Sequence, residues 1–125
     1  MATNELLTDE VAISWDQKKG KRFLKFLFQG SFTEAQAEPA IHKWKQEFET
    51  LASDEKIDLI WNCLEMTKYS AGAAKLWKNA MSVLNPKIDQ IWLVSSNTFI
   101  KMGAKTVTFL LPINLKVVAS EYEIQ

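Results

Sequence analysis

The chain has 125 residues, enough for one domain with one core and too few for two. Fifteen basic and fifteen acidic residues balance, so the net charge gives no electrostatic reason to expect a nucleic acid or an anionic membrane as partner. The apolar content, 47%, argues against disorder, and no apolar run approaches the ~20 residues that a membrane-spanning helix needs.

Chemistry-bearing residues are scarce. The amino-terminal MATNELLTDE is acidic and lacks a positive end followed by an apolar stretch, which does not read as a signal peptide. The single cysteine, Cys63, lies in an apolar run; it has no internal disulfide partner and reads as a buried thiol in a cytoplasmic protein. There is one histidine, no metal-ligand spacing, and no phosphate loop or dinucleotide glycine pattern, so neither metal nor cofactor is expected. Five tryptophans stand out in so short a chain.

In chain order, residues 11–16 alternate as a strand, 17–21 are turn residues, and 22–28 form a second strand. Leu24, Phe26 and Phe28 fall on one face of it, Phe23, Lys25 and Leu27 on the other. Gly30 breaks the run. Thr33 is a helix cap with Gln36 in capping-box position. Pro39 leaves two starts open: an irregular first turn, or a main helix beginning near Glu38. Ile41, Trp44, Phe48 and Leu51 then make one buried stripe, and His42 falls beside it as a surface residue. The run KIDLIWNCLEM suits a strand covered on both faces. Residues 70–84 are helical, with Ala73, Trp77, Ala80, Met81 and Leu84 on one side and Asn85 and Pro86 as a stop. KIDQIWLVSS is another buried strand. A helix weakened by Gly103 carries Phe99, Met102, Thr106 and Phe109 and ends by Pro112; residues 115–120 are a last strand before a loose acidic tail.

KIDLIW at 56–61 and KIDQIW at 87–92 share five of six residues, 31 positions apart, the size of one βαβ unit. Period-two counting puts Ile57, Leu59, Trp61 and Cys63 on one face and Ile88, Gln90, Trp92 and Val94 likewise, so Trp61 and Trp92 are expected to point the same way. They read as sheet core under helices or, with Trp77, as the lining of an apolar pocket. The order β-β-α-β-α-β-α-β predicts a single α/β domain over residues 1–125 with its core at about 11–120 and loose termini. Its sheet is mixed and mostly parallel, of about five strands, with the first antiparallel.

That order resembles the STAS domain, the SpoIIAA-like fold of anti-sigma-factor antagonists. Gly30, Ser31, Phe32 and Thr33, followed by Ala37 and Glu38, are similar to the family's Gly-Glu-Leu-Asp turn and the Ala-Glu opening its first helix. The strand from Ile57 to Cys63, with polar Asn62 near its end, resembles the strand leading to the signature loop. Ser70, Ala71 and Gly72 stand where the family has Asp-Ser-Ser-Gly at the start of its second helix. The resemblance implies a non-enzymatic regulatory module. Its protein partner would be a regulatory kinase or anti-sigma-like protein, bound through a loop of Thr67, Lys68, Tyr69, Ser70, Ala71 and Gly72, with Ser70 as the phosphorylated position. The motif departs from the family: the acidic residue is missing and one serine remains. Aligning on Gly72 puts Ala71 at the acceptor position; aligning on Ser70 puts Ala71 where glycine belongs. From the residues alone, Ser70 is a helix N-cap and the small residues after it give close packing. The alternative function is a small-molecule or lipid-binding domain, its apolar pocket lined by Trp61, Trp77 and Trp92. A homodimer through a sheet edge or face stays open.

Overall fold

In the computed structural model, residues 5–6 and 11–124 are described. Lys19 and Gly20 both have positive φ, 53° and 79°, the pair of left-handed residues that closes a two-residue hairpin. They join β2, Val11–Lys18, to β3, Lys21–Phe32. A two-residue strand, β1 at Glu5–Leu6, adds an edge beyond β2 that the alternation did not predict. Gly30 does not end β3. It sits inside the strand with φ 68° at a register shift against the next strand, so it marks a bulge.

Helix α1 is Glu34–Phe48, starting directly after Thr33, whose backbone N–H donates to the Gln36 side chain at 2.9 Å. It runs through Pro39 instead of starting near it, and forgoes one hydrogen bond, to the carbonyl of exposed Ala35. Its buried stripe is Ala37, Ala40, Trp44 and Phe48, with Ile41 at the margin. Next come β4, Ile57–Tyr69; α2, Ala71–Leu84; a 3-10 turn at Asn85–Lys87; β5, Ile88–Val94; α3, Thr98–Thr108; β6, Asn114–Val118; and a 3-10 turn at Glu121–Glu123.

The strands lie in sequence order, β1 to β6, antiparallel up to β3 and parallel from there on. This is a single α/β domain. Residues of all three helices join one core with Leu24, Phe26, Leu59, Trp61 and Ile91, so the helices share one face of the sheet. On the other face Phe23, Ile60, Trp92 and Val94 form a second cluster without a helix.

Trp61 and Trp92 therefore point to opposite faces. Ile57 pairs with Ile88, but Asp58 pairs with Gln90, so Asp89 is an extra residue that shifts the phase of β5 by one. Beyond it, Ile91 and Leu93 face the helices with Trp61, and Gln90, Trp92 and Val94 turn away. The two KID motifs diverge accordingly. Asp58 is fully buried, and its Oδ2 accepts from Trp92 Nε1 at 3.1 Å and pairs with Lys21 Nζ at 2.9 Å; Asp89 is exposed on the bulge.

The carboxy-terminal tail is docked where looseness was expected. Ile124 is 2% exposed and covers the second cluster. Glu121 accepts from Asn62 Nδ2 at 2.5 Å and pairs with Lys25 at 2.9 Å and Lys18 at 3.4 Å. The amino-terminal residues 1–4 and 7–10, expected to be loose as well, lie outside the described residues. Burial alone would raise the Glu121 pKa; the hydrogen bonds from Lys25 and Asn62 and the nearby lysine charges outweigh it and hold the carboxyl below its ordinary value. The stability this clasp contributes is present above the ordinary glutamate range and is lost as pH falls through the depressed folded value. Glu121→Gln is expected to lower stability at neutral pH by about 1–2 kcal/mol and to flatten the acid limb of the stability curve. Urea unfolding at a series of pH values measures both; an unchanged acid limb would show that the tail does not depend on the carboxylate.

Candidate functional site

At the end of β4 the chain turns into α2. Ser70 is extended and caps the helix: its Oγ accepts from Ala73 N–H at 3.0 Å. The same hydroxyl donates to Glu34 Oε1 at 2.8 Å, and the Ser70 N–H donates to the Phe32 carbonyl at 2.9 Å. Glu34 is the first residue of α1, so one carboxylate ties the starts of two helices together. Its pKa is lowered, first by the Ser70 hydrogen bond and then by its own backbone N–H. Gly72 leaves room for this carboxylate, and not for the sheet: a Cβ there would lie 2.0 Å from Glu34 Oε2, so the Glu34 side chain would have to swing away. Nothing in the sequence spacing placed Glu34 opposite Ser70.

The expected docking loop is mostly not a loop. Thr67, Lys68 and Tyr69 belong to β4, with Lys68 paired to Ser31 and Tyr69 to Phe32, while Ala71 and Gly72 open α2. The bulges in β3 keep this ribbon in register and let it run longer than the apolar pattern indicated. Thr67, Lys68 and Ala71 are exposed. Tyr69 is half-buried instead of projecting: its ring stacks on Phe99 at 4.7 Å between centroids, and its hydroxyl reaches the Phe99 carbonyl at 3.4 Å. Gly103 gives it room, since a Cβ there would meet the Tyr69 hydroxyl at 2.5 Å.

Under Tyr69, between the sheet, α2 and α3, lies a partly open apolar cleft of about 60 Å³. Trp61, Cys63, Trp77, Leu93, Ile100 and Val107 are among its walls. Trp92 is not, because the bulge at Asp89 turns it to the opposite face. The Trp61 Nε1–H is buried and has no hydrogen-bond partner among the described residues.

Burial pushes the Cys63 thiol up to about 12, so it stays protonated at neutral pH. His42 is exposed on α1, with its Nε2 at 3.2 Å from Gln46 Nε2. Among the described residues no three metal-ligating side chains cluster, and no helix is long and apolar enough to cross a membrane.

A sheet in sequence order, three helices on one face and a capped helix start after the central strand define an α/β domain of the SpoIIAA-like fold. No family model matches the sequence, and no curated protein sequence does. Among solved structures, an uncharacterized DUF3478-family protein from Shewanella loihica PV-4, described as having a SpoIIAA-like fold, aligns with a TM-score of 0.76. The alignment covers 94% of this chain and 94% of that one at 12% identity, so the two share the fold.

The Ser70 clasp makes a measurable prediction. Ser70→Ala is expected to cost about 1 kcal/mol as a lost cap. Asp ordinarily caps as well as Ser, but at position 70 its carboxylate would face Glu34. Ser70→Asp is therefore expected to be less stable than wild type, with Glu34→Gln restoring it, in urea unfolding of the single and double variants. Equal stability of Ser70→Asp and wild type would show that Glu34 does not hold this junction.

Proposed function

We propose that this chain is a non-enzymatic, cytoplasmic regulatory module resembling anti-sigma-factor antagonists, which binds a protein partner through the end of the β3–β4 ribbon and the start of α2. The observation that carries the reading is the overhang of β4. It pairs with β5 only as far as Asn62, so residues 63–69 form a parallel ribbon with β3 that extends past the end of β5. The overhang presents Leu64, Thr67 and Lys68 beside Ala71, and Leu64 is 46% exposed. A strand edge and an exposed apolar side chain next to a helix start suit recognition of a polypeptide.

Ser70 is the control point in this reading. A phosphate there would bring a charge of about −1.5 to −2 against the Glu34 carboxylate and displace the hydroxyl from its hydrogen bond. The α1–α2 clasp would open and reshape the surface beside it. A photo-crosslinking residue in place of Lys68 is expected to trap one discrete partner, with a control at Glu38 on the exposed side of α1 trapping none. An adduct of twice the chain mass would identify the partner as a second copy. No adduct at 68, or the same adducts at both positions, would remove the reading.

The unpartnered Trp61 N–H on an apolar wall favours a second reading, a small apolar ligand with one acceptor atom. The cleft is far below the roughly 300–1,000 Å³ of drug-sized pockets, so a fatty acid would enter only with α3 displaced. Native mass spectrometry and tryptophan fluorescence with fatty acids are expected to show a ligand that Ala104→Phe, which fills the cleft, abolishes. Neither a bound mass nor a fluorescence shift in the wild-type chain would exclude it.

A further inference from the structure

The balanced net charge is the mean of two unequal parts. Residues 66–120 contain seven lysines and a single acid, Asp89, while the remainder of the chain carries the other fourteen acids. The difference is visible in the pairing. Of the eight basic residues outside that stretch, Lys18, Lys21, Arg22, Lys25 and Lys43 sit in ion pairs, and Lys19, Lys45 and Lys56 have none among the described residues. Lys75 and Lys78 on α2 and Lys101 and Lys105 on α3 have none among the described residues. Lys78 and Lys105 flank one groove between the two helices, with Phe109 at its end.

That end of the molecule carries an apolar tip. Phe109, Leu110, Leu111, Pro112 and Ile113 follow one another in the turn from α3 to β6. Phe109 is 69% and Leu110 86% exposed, and Met102 is exposed one turn or two up α3. Leu110 has φ 65°, a left-handed conformation that side chains other than glycine and asparagine adopt at a cost. A strained leucine held in water is not explained by the core.

We propose that this face docks reversibly on a membrane surface bearing anionic phospholipids, with Phe109 and Leu110 entering the headgroup layer and Lys78 and Lys105 meeting its negative charge. The charge is complementary: lysines without ion-pair partners on the helices, and no acidic side chain on α2 or α3. Lysine without arginine fits a headgroup layer better than a protein partner, since arginine is enriched and lysine depleted in protein interfaces. A nucleic acid would use the lysines but gain nothing from Leu110. The face lies at the opposite end of the parallel strands from the start of α2, so it is independent of the ribbon edge assigned to a protein partner. One apolar tip with a basic surround gives weak, reversible attachment, and no helix among the described residues is long and apolar enough to span the bilayer.

Sedimentation of the full chain with vesicles tests this. Binding is expected with phosphatidylcholine containing phosphatidylserine, not with phosphatidylcholine alone, and falls as salt rises. Lys78→Gln and Lys105→Gln should each weaken it about fivefold. Leu110→Asn keeps a residue that tolerates the left-handed backbone, so its unfolding midpoint should equal or exceed wild type while binding drops about tenfold. No sedimentation with phosphatidylserine vesicles at low salt would overturn the proposal. So would binding indifferent to Leu110→Asn, or polyglutamate or DNA binding as tight as vesicle binding and equally indifferent, which would make the face a site for an acidic polymer.

Discussion

Trp77 meets five other rings. Phe26, Phe28 and Phe32 of β3, Trp44 of α1 and Trp61 of β4 all lie within 5.1–6.1 Å of it, centroid to centroid, mostly edge to face. Such pairs each add about 0.5–1.5 kcal/mol beyond the area they bury. The consequence is positional as well as energetic. With Trp77 fixed between β3, β4 and α1, the first two turns of α2 have one place to go. Ser70 then arrives at Glu34, and α1 and α2 start side by side. The clasp at the surface follows from the aromatic cluster beneath it.

Placing all three helices on one face leaves the other face of the sheet without a layer of its own. Phe23, Ile60 and Trp92 would be wet there without Ile124 and the side chains around it. The tail is anchored by charge because the surrounding strands present Lys18, Lys25 and Asn62, which only an acceptor can satisfy. Buried Asp58 follows the same logic at the other end of the cluster: it is tolerable because Lys21 and the Trp92 indole both reach it.

The element order after β1, the parallel sheet with an antiparallel start, Trp44 and Phe48 of the α1 stripe and the Ser70 cap were legible in the sequence, because each rests on local periodicity or on a residue acting within one turn of itself. What was not legible rests on pairing between distant segments. Trp61 and Trp92 sit in near-identical hexapeptides, and one unpaired residue, Asp89, reverses the second. Gly30 looks like a stop and is a bulge, a difference decided by β4 and not by β3. Acidic EYEIQ reads as a free tail until Lys25 and Asn62 are known to lie under it. Glu34 has no local signal at all; its partner is 36 residues away.

The charge distribution is the remaining case. A zero sum over the whole chain describes the molecule poorly, because acids and bases are sorted by position in the fold. The β2–β3 hairpin, α1 and the tail hold mixed charges that neutralise one another at short range. α2 and α3 hold lysines alone, at helical spacings that keep them on the outer side while Ala73, Trp77, Ile100 and Ala104 face inward. Charges that are paired contribute little field beyond a Debye length, and unpaired ones of one sign add. The field seen by a partner approaching α2 and α3 is therefore set by lysines without ion pairs, and two of them, Lys78 and Lys105, lie beside the turn in which Phe109 and Leu110 point into water.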